Sequence, residues 1–156
     1  LLGLVLSACT GGEAPTAEPT NQQRGQIQAE ILEWSDQFLA FVNDLDAGGV
    51  ASLFDSNAAH FVNGGGYRPS WQAFLNGTQE TYNGWAEWNG EWASRRVDVL
   101  DFDSALLVGE TSGSVTTEDG TTYDAGTVFS FVVRRGEDGS WSGLFGHVSG
   151  EWTPVE

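Results

Sequence analysis

Apolar positions recur along residues 27–45 in alternating steps of four and three: Ile27, Ile31, Trp34, Phe38, Phe41 and Leu45. That spacing places them on one stripe of a helix. Gln28, Glu30, Glu33 and Gln37 fall mostly outside it. Gly48-Gly49 is expected to end the helix, with a short second helix over Val50 to Phe54. The segment "AAHFVN" (58–63) predicts a short strand, and "NGGGY" predicts a turn. Pro69 is well placed to open a third helix reaching about Trp85, with Trp71, Phe74, Leu75 and Tyr82 as its apolar contacts.

From about residue 87 the pattern changes to that of strands. "EWASRRVDVLDF" reads as the first long one and "SALLVGETSGSVTTE" as the next. Asp119-Gly120 is a hairpin turn signal. "YDAGTVFSFVVRR" follows, then a turn at "GEDGS", then "WSGLFGHVSGEW". Four strands joined by short turns run antiparallel. Three helices before such a meander give an α+β domain with the helices on one sheet face. No internal repeat or second domain is evident.

Composition narrows the partners. Acidic residues outnumber basic ones 22 to 6, for a formal charge of −16. Such a surface repels nucleic acid, whose binding needs Lys and Arg to displace counterions. The broad reading of the acidity is solubility, and the narrower one is adaptation to high salt, which screens self-repulsion. With 40% apolar content, seven Trp and nine Phe, the chain has the means to build a core.

The single cysteine, Cys9, precludes an internal disulfide. It follows "LLGLVLSA", an apolar run too short to span a bilayer, which takes about 20 residues. Leu6-Ser7-Ala8-Cys9 resembles the bacterial lipobox, in which the Cys sulfur takes a diacylglycerol and cleavage falls just before it. The Gly-, Pro-, Thr- and Glu-rich segment after it suits a flexible tether. The expected organisation is a signal peptide over 1–8, a lipidated Cys with tether over 9–23, and one domain over 24–156. The expected location is extracytoplasmic, at the membrane of a bacterial cell envelope, held by lipid on Cys9.

The order of elements also resembles the nuclear transport factor 2-like superfamily, with its SnoaL-like and ketosteroid-isomerase-like members. The carriers are "FLAFVNDLDAGGVASLF", "AAHFVNGGGYRPSWQAF", "VDVLDFDSALLVGE", "AGTVFSFVVRR" and a closing "W…HVS", over roughly residues 25–153. The resemblance implies a cone-shaped, bent antiparallel sheet wrapped by three N-terminal helices. It implies a conical pocket that binds a small, largely apolar molecule, and a possible homodimer through the open sheet face. Steroid isomerisation requires a carboxylate base and a proton donor to the enolate oxygen. The donor Tyr falls here at about Phe38 and the base Asp at Val62 or Asn63, so ketosteroid isomerase activity is not expected.

Two histidines stand out as proton-transfer candidates, His147 and His60, because imidazole titrates near neutral pH. His147 shares a strand face with Phe145 and Ser149, and all three are candidates for the pocket. Trp34 and Phe38 on the first helix, with Phe129 and Phe131 on the third long strand, are further pocket candidates. Trp85, Trp88 and Trp92, near Tyr82, suit either ligand contact or packing. Arg95-Arg96 and Arg134-Arg135 are adjacent pairs in strands, so one of each should point inward, towards a substrate carboxylate or a structural ion pair. No metal is expected, since catalytic zinc takes three protein ligands and the chain has two His. No cofactor is expected either: "GGGY" does not sit in a dinucleotide-binding pattern. The leading expectation is a ligand-binding domain. The alternatives are an isomerase, cyclase or lyase using His147 or His60 as general base, and a non-catalytic dimerisation module.

Overall fold

The computed structural model describes residues 18–57, 60–63 and 66–155. The expected signal peptide, Cys9 and most of the expected tether lie outside the described residues. Thr20 opens the first helix. Its side-chain oxygen accepts from the Gln23 amide while the Gln23 side chain accepts from the Thr20 backbone N–H. This reciprocal box satisfies two donors that a bare helix start leaves unpaired. Helix α1 spans Asn21–Asn43, so residues 21–23, assigned to the tether by sequence, belong to the helix.

α1 ends before Gly48-Gly49, as expected. Leu45 adopts a φ of 52°, a conformation a helix cannot continue through. Asp46 then caps α2, Ala47–Ser52, by accepting from the Gly49 amide at 2.8 Å. The glycine pair therefore lies inside the second helix. Ser70 caps α3, Trp71–Tyr82, whose Trp71 indole donates to the Ala51 carbonyl at 2.7 Å and ties α3 to α2. Among the described residues no helix is long and apolar enough to cross a membrane.

The strands are β1 (His60–Asn63), β2 (Gly66–Arg68), β3 (Trp85–Val99), β4 (Ser104–Thr117), β5 (Thr122–Arg135) and β6 (Trp141–Pro154). They form one sheet in the order β2-β1-β6-β5-β4-β3. β3 to β6 are the expected antiparallel meander. The sheet as a whole is mixed, because β1 runs parallel to β6. A hairpin turn dictates direction only for the strands it joins; β1 reaches β6 through a helix and four other strands. β2 was legible only as part of a turn, and pairs with β1 as a short hairpin.

The core lies between α1 and the inner sheet face. Ala125, Thr127, Phe129, Phe131 and Val133 alternate inward along β5 and are all buried. Phe131 is fully enclosed, with ring centroids of Phe38, Trp34 and Phe54 at 4.8, 5.5 and 5.7 Å. The opposite strand leaves room for these rings. A Cβ on Gly143 would fall within the Phe54 ring, and one on Gly146 within the Phe61 ring.

Polar contacts fasten α1 along β3 and the sheet's far end. Asn43 exchanges two hydrogen bonds with Gly90, at 2.9 and 3.1 Å. Gln28 donates to the Val97 carbonyl and Arg24 to that of Val99. Arg95 donates to the Leu32 carbonyl and Ser35 hydroxyl and pairs with Asp36. Glu30 accepts from the Trp141 indole at 2.9 Å and pairs with Arg135, whose guanidinium lies 4.6 Å from the Trp141 ring centroid. The indole hydrogen bond, with Arg135 adding its charge, holds the Glu30 carboxyl below its usual range despite opposing desolvation.

Candidate functional site

A cavity of about 300 Å³ opens at the end of the sheet where β3 and β5 begin and β6 finishes. Phe38 and Val42 reach it from the second half of α1, and Val50 from α2. Phe74, Thr78, Thr81 and Tyr82 form one helical stripe of α3 at steps of four, three and one, so a single face of that helix supplies a wall. β1 contributes Phe61 and Asn63, the alternate residues that point inward. β5 contributes Thr127 and Phe129; β6 contributes Val148, Gly150 and Trp152. Trp85 and Trp88 complete the rim.

The lining is chemically uniform. Eight of its sixteen residues are aromatic. None is Asp, Glu, His, Lys, Arg or Cys. Its polar groups are Asn63, three threonines, the Tyr82 phenol and indole edges. Thr81 donates to the Gly77 carbonyl at 2.9 Å. Burial, with the Asp46 carboxylate adding to it, pushes the Tyr82 phenol well above its ordinary value. Tyr82 is therefore a neutral hydroxyl across the physiological range.

The register decides where the sequence candidates lie. Phe129 faces inward, so its partner Val148 does too; Phe131 faces inward opposite Gly146. Phe145, His147 and Ser149 pair with Val132, Ser130 and Val128 and occupy the outer face. The expectation that these three line the pocket is corrected: one residue of strand parity separates inner from outer. His60 pairs with Phe145 and shares that outer face. Its Nδ1 is 3.0 Å from the Tyr67 hydroxyl, and the two rings stack, both residues exposed. Both candidate bases thus lie across the sheet from the cavity.

Phe38 and Phe129 line the cavity. Trp34 and Phe131 pack in the aromatic core and do not. Asn63 faces the cavity, whereas Val62 lies on the outer face with His147. Of the three clustered tryptophans, Trp85 and Trp88 line it, while Trp92 packs edge-on against Phe129. Arg95 and Arg135 turn to α1, and Arg96 and Arg134 pair with Asp98 and Asp55; none reaches the cavity. Trp152, Thr127, Thr78 and Thr81 went unremarked as site residues. Glycines at 143 and 146 were the available signal, since bare positions on β6 mark the face that the Phe54 and Phe61 rings cover.

By sequence the chain matches no protein-family model and no curated protein. In three dimensions it matches solved structures over most of its length. A hexachlorocyclohexane dehydrochlorinase (LinA type 2) superposes with a TM-score of 0.76, covering 88% of this chain and 94% of that one at 16% identity. The fold is nuclear transport factor 2-like. A superfamily protein of that name from Salmonella enterica serovar Typhimurium gives 0.73 over 83% and 93% of the two chains at 17% identity. A ketosteroid isomerase-like protein from Erwinia carotovora atroseptica gives 0.69 over 82% and 95% at 17%. At these identities the nuclear transport factor 2-like fold is what is shared.

Proposed function

We propose that this nuclear transport factor 2-like domain binds a small, largely apolar molecule in the cavity. One observation carries the reading: a concave, half-aromatic lining with a few uncharged polar groups and no acid–base side chain. Apolar pockets with sparse polar groups are the usual form of small-molecule sites. The fold itself also serves catalysts, a hexachlorocyclohexane dehydrochlorinase among them. An isomerase, cyclase or lyase using His147 or His60 as general base fits less well, since a base must come within hydrogen-bond reach of the proton it takes.

Thermal denaturation against a panel of small aromatic and alicyclic compounds tests the binding reading. A ligand at a hundred times its dissociation constant should stabilise the domain by about 2.7 kcal/mol. Val148→Phe, which places a ring in the space, should weaken binding by about tenfold or more with little change in the ligand-free melt. A panel without a single stabilising compound removes the reading.

We further propose that the domain is carried on an extracytoplasmic lipid anchor at Cys9. The support is the Leu6-Ser7-Ala8-Cys9 sequence and the polar tether-like composition after it. In a bacterial host, Cys9→Ser should move the protein from the membrane fraction to the soluble one. Retention of the variant at the membrane overturns the anchor.

A further inference from the structure

The rim is not merely apolar. Tyr82, Trp85, Trp88 and Trp152 meet there, with Trp85 at 5.4 Å from Tyr82, 5.4 Å from Trp88 and 5.2 Å from Trp152 between ring centroids. The faces of such rings carry negative potential, strongest for indole. The Trp88 ring is buried and stacks on Trp85 with 19° between planes, so Trp88 backs the wall behind Trp85. Trp152 is 42% exposed, which leaves one side of the wall wet.

Charge is divided along the sheet in a way that matches. Arg24, Arg95, Arg96, Arg134 and Arg135 all pair with carboxylates at the end away from the rim. The sixth arginine, Arg68, lies against Gly77 of α3 and does not line the cavity. The rim end carries exposed Glu87, Glu118, Asp124 and Glu151 on its strand ends, and exposed Asp46 between α1 and α2. A cleft away from the five paired arginines, in a chain of charge −16, attracts cations, while no lining residue offers an anion a charged partner.

We propose that the ligand bears a quaternary ammonium group, seated against the Tyr82–Trp85–Trp88–Trp152 wall, with its apolar body in the Phe-lined interior. A primary ammonium would bring three N–H donors to a lining with few acceptors, and buried donors left unpaired are costly. A trimethylammonium has no donor to satisfy and presents methyl groups to the rings. The inference rests on the cavity being the binding site, and names the ligand class it selects.

An isosteric pair tests it: phenyltrimethylammonium and neutral tert-butylbenzene, titrated against the purified domain by indole fluorescence at matched ionic strength. The cation should bind about tenfold tighter, as expected for a partly desolvated cation–π contact. Trp152→Leu should clearly reduce that preference, and Trp152→Phe should retain more of it, with the melting temperature of both close to the parent. Neither variant changes net charge, so a preference undiminished in Trp152→Leu is general attraction to an acidic protein and overturns the proposal. Equal binding of the two probes also overturns it while leaving the apolar-ligand reading intact. Binding of neither, together with a silent thermal-shift panel, removes both.

Discussion

Phe131→Ala is expected to destabilise the domain by about 3–5 kcal/mol, the usual cost of emptying a buried aromatic position. Phe131 has no exposure, and the Trp34, Phe38, Phe54, Phe61 and Phe129 rings all lie within 6.4 Å of it by centroid. Those rings come from α1, the α2–β1 connection, β1 and β5, so no single element can move to fill the void. The residue therefore joins the helical layer to the sheet. Against a total stability of about 5–15 kcal/mol for a domain, the loss removes a large share of what holds the fold. Urea unfolding followed by far-UV circular dichroism reads the effect as a lower midpoint. A shift under about 1 kcal/mol would mean the core relaxes far more than close packing allows.

Gly146→Ala should cost about 1–3 kcal/mol through overpacking, although it adds a single methyl. The new Cβ would meet the Phe61 ring. That ring cannot swing clear, because it stacks on Phe74 at 4.0 Å and contacts Phe54 at 5.3 Å. Phe61 and Phe74 both line the cavity, so the displacement should also reduce affinity for whatever the cavity holds. Ser149→Ala is the matched control. It lies on the same strand but on the exposed outer face, where substitutions usually stay within about 0.5 kcal/mol. Equal melting temperatures for the Gly146 and Ser149 variants would contradict the packing described.

The sequence carried the order of elements because each had a local cause. The stripe from Ile27 to Leu45 follows helical geometry, and Asp119-Gly120 marks a hairpin by its own backbone preference. The fold resemblance followed from that order. Which face of β6 looks inward was not legible, because alternation groups Phe145, His147 and Ser149 without orienting them. Orientation is set by pairing with β5 and by the need of Phe54 and Phe61 for space opposite Gly143 and Gly146. The same holds for β1: Asn63 faces the cavity and His60 the outside only because of its register with β6. The start of α2 was less legible: it depends on the Leu45 backbone and the Asp46 cap, which place Gly48 and Gly49 inside the helix.

The parallel pairing of β1 with β6 also has a temporal side. β1 emerges during synthesis before any long strand, yet its partner in the sheet is made after all of them. Phe61 has no Gly146 to pack over, and β2 hangs on a strand without a neighbour, until residues 141–154 are available. Helices and the β3–β5 meander can form from local contacts as the chain grows, while long-range pairing waits for loop closure. The β6 side of the cavity wall, Val148, Gly150 and Trp152, is the last part to be synthesised. A chain interrupted before β6 would lack the strand whose Gly143 and Gly146 lie against the Phe54 and Phe61 rings.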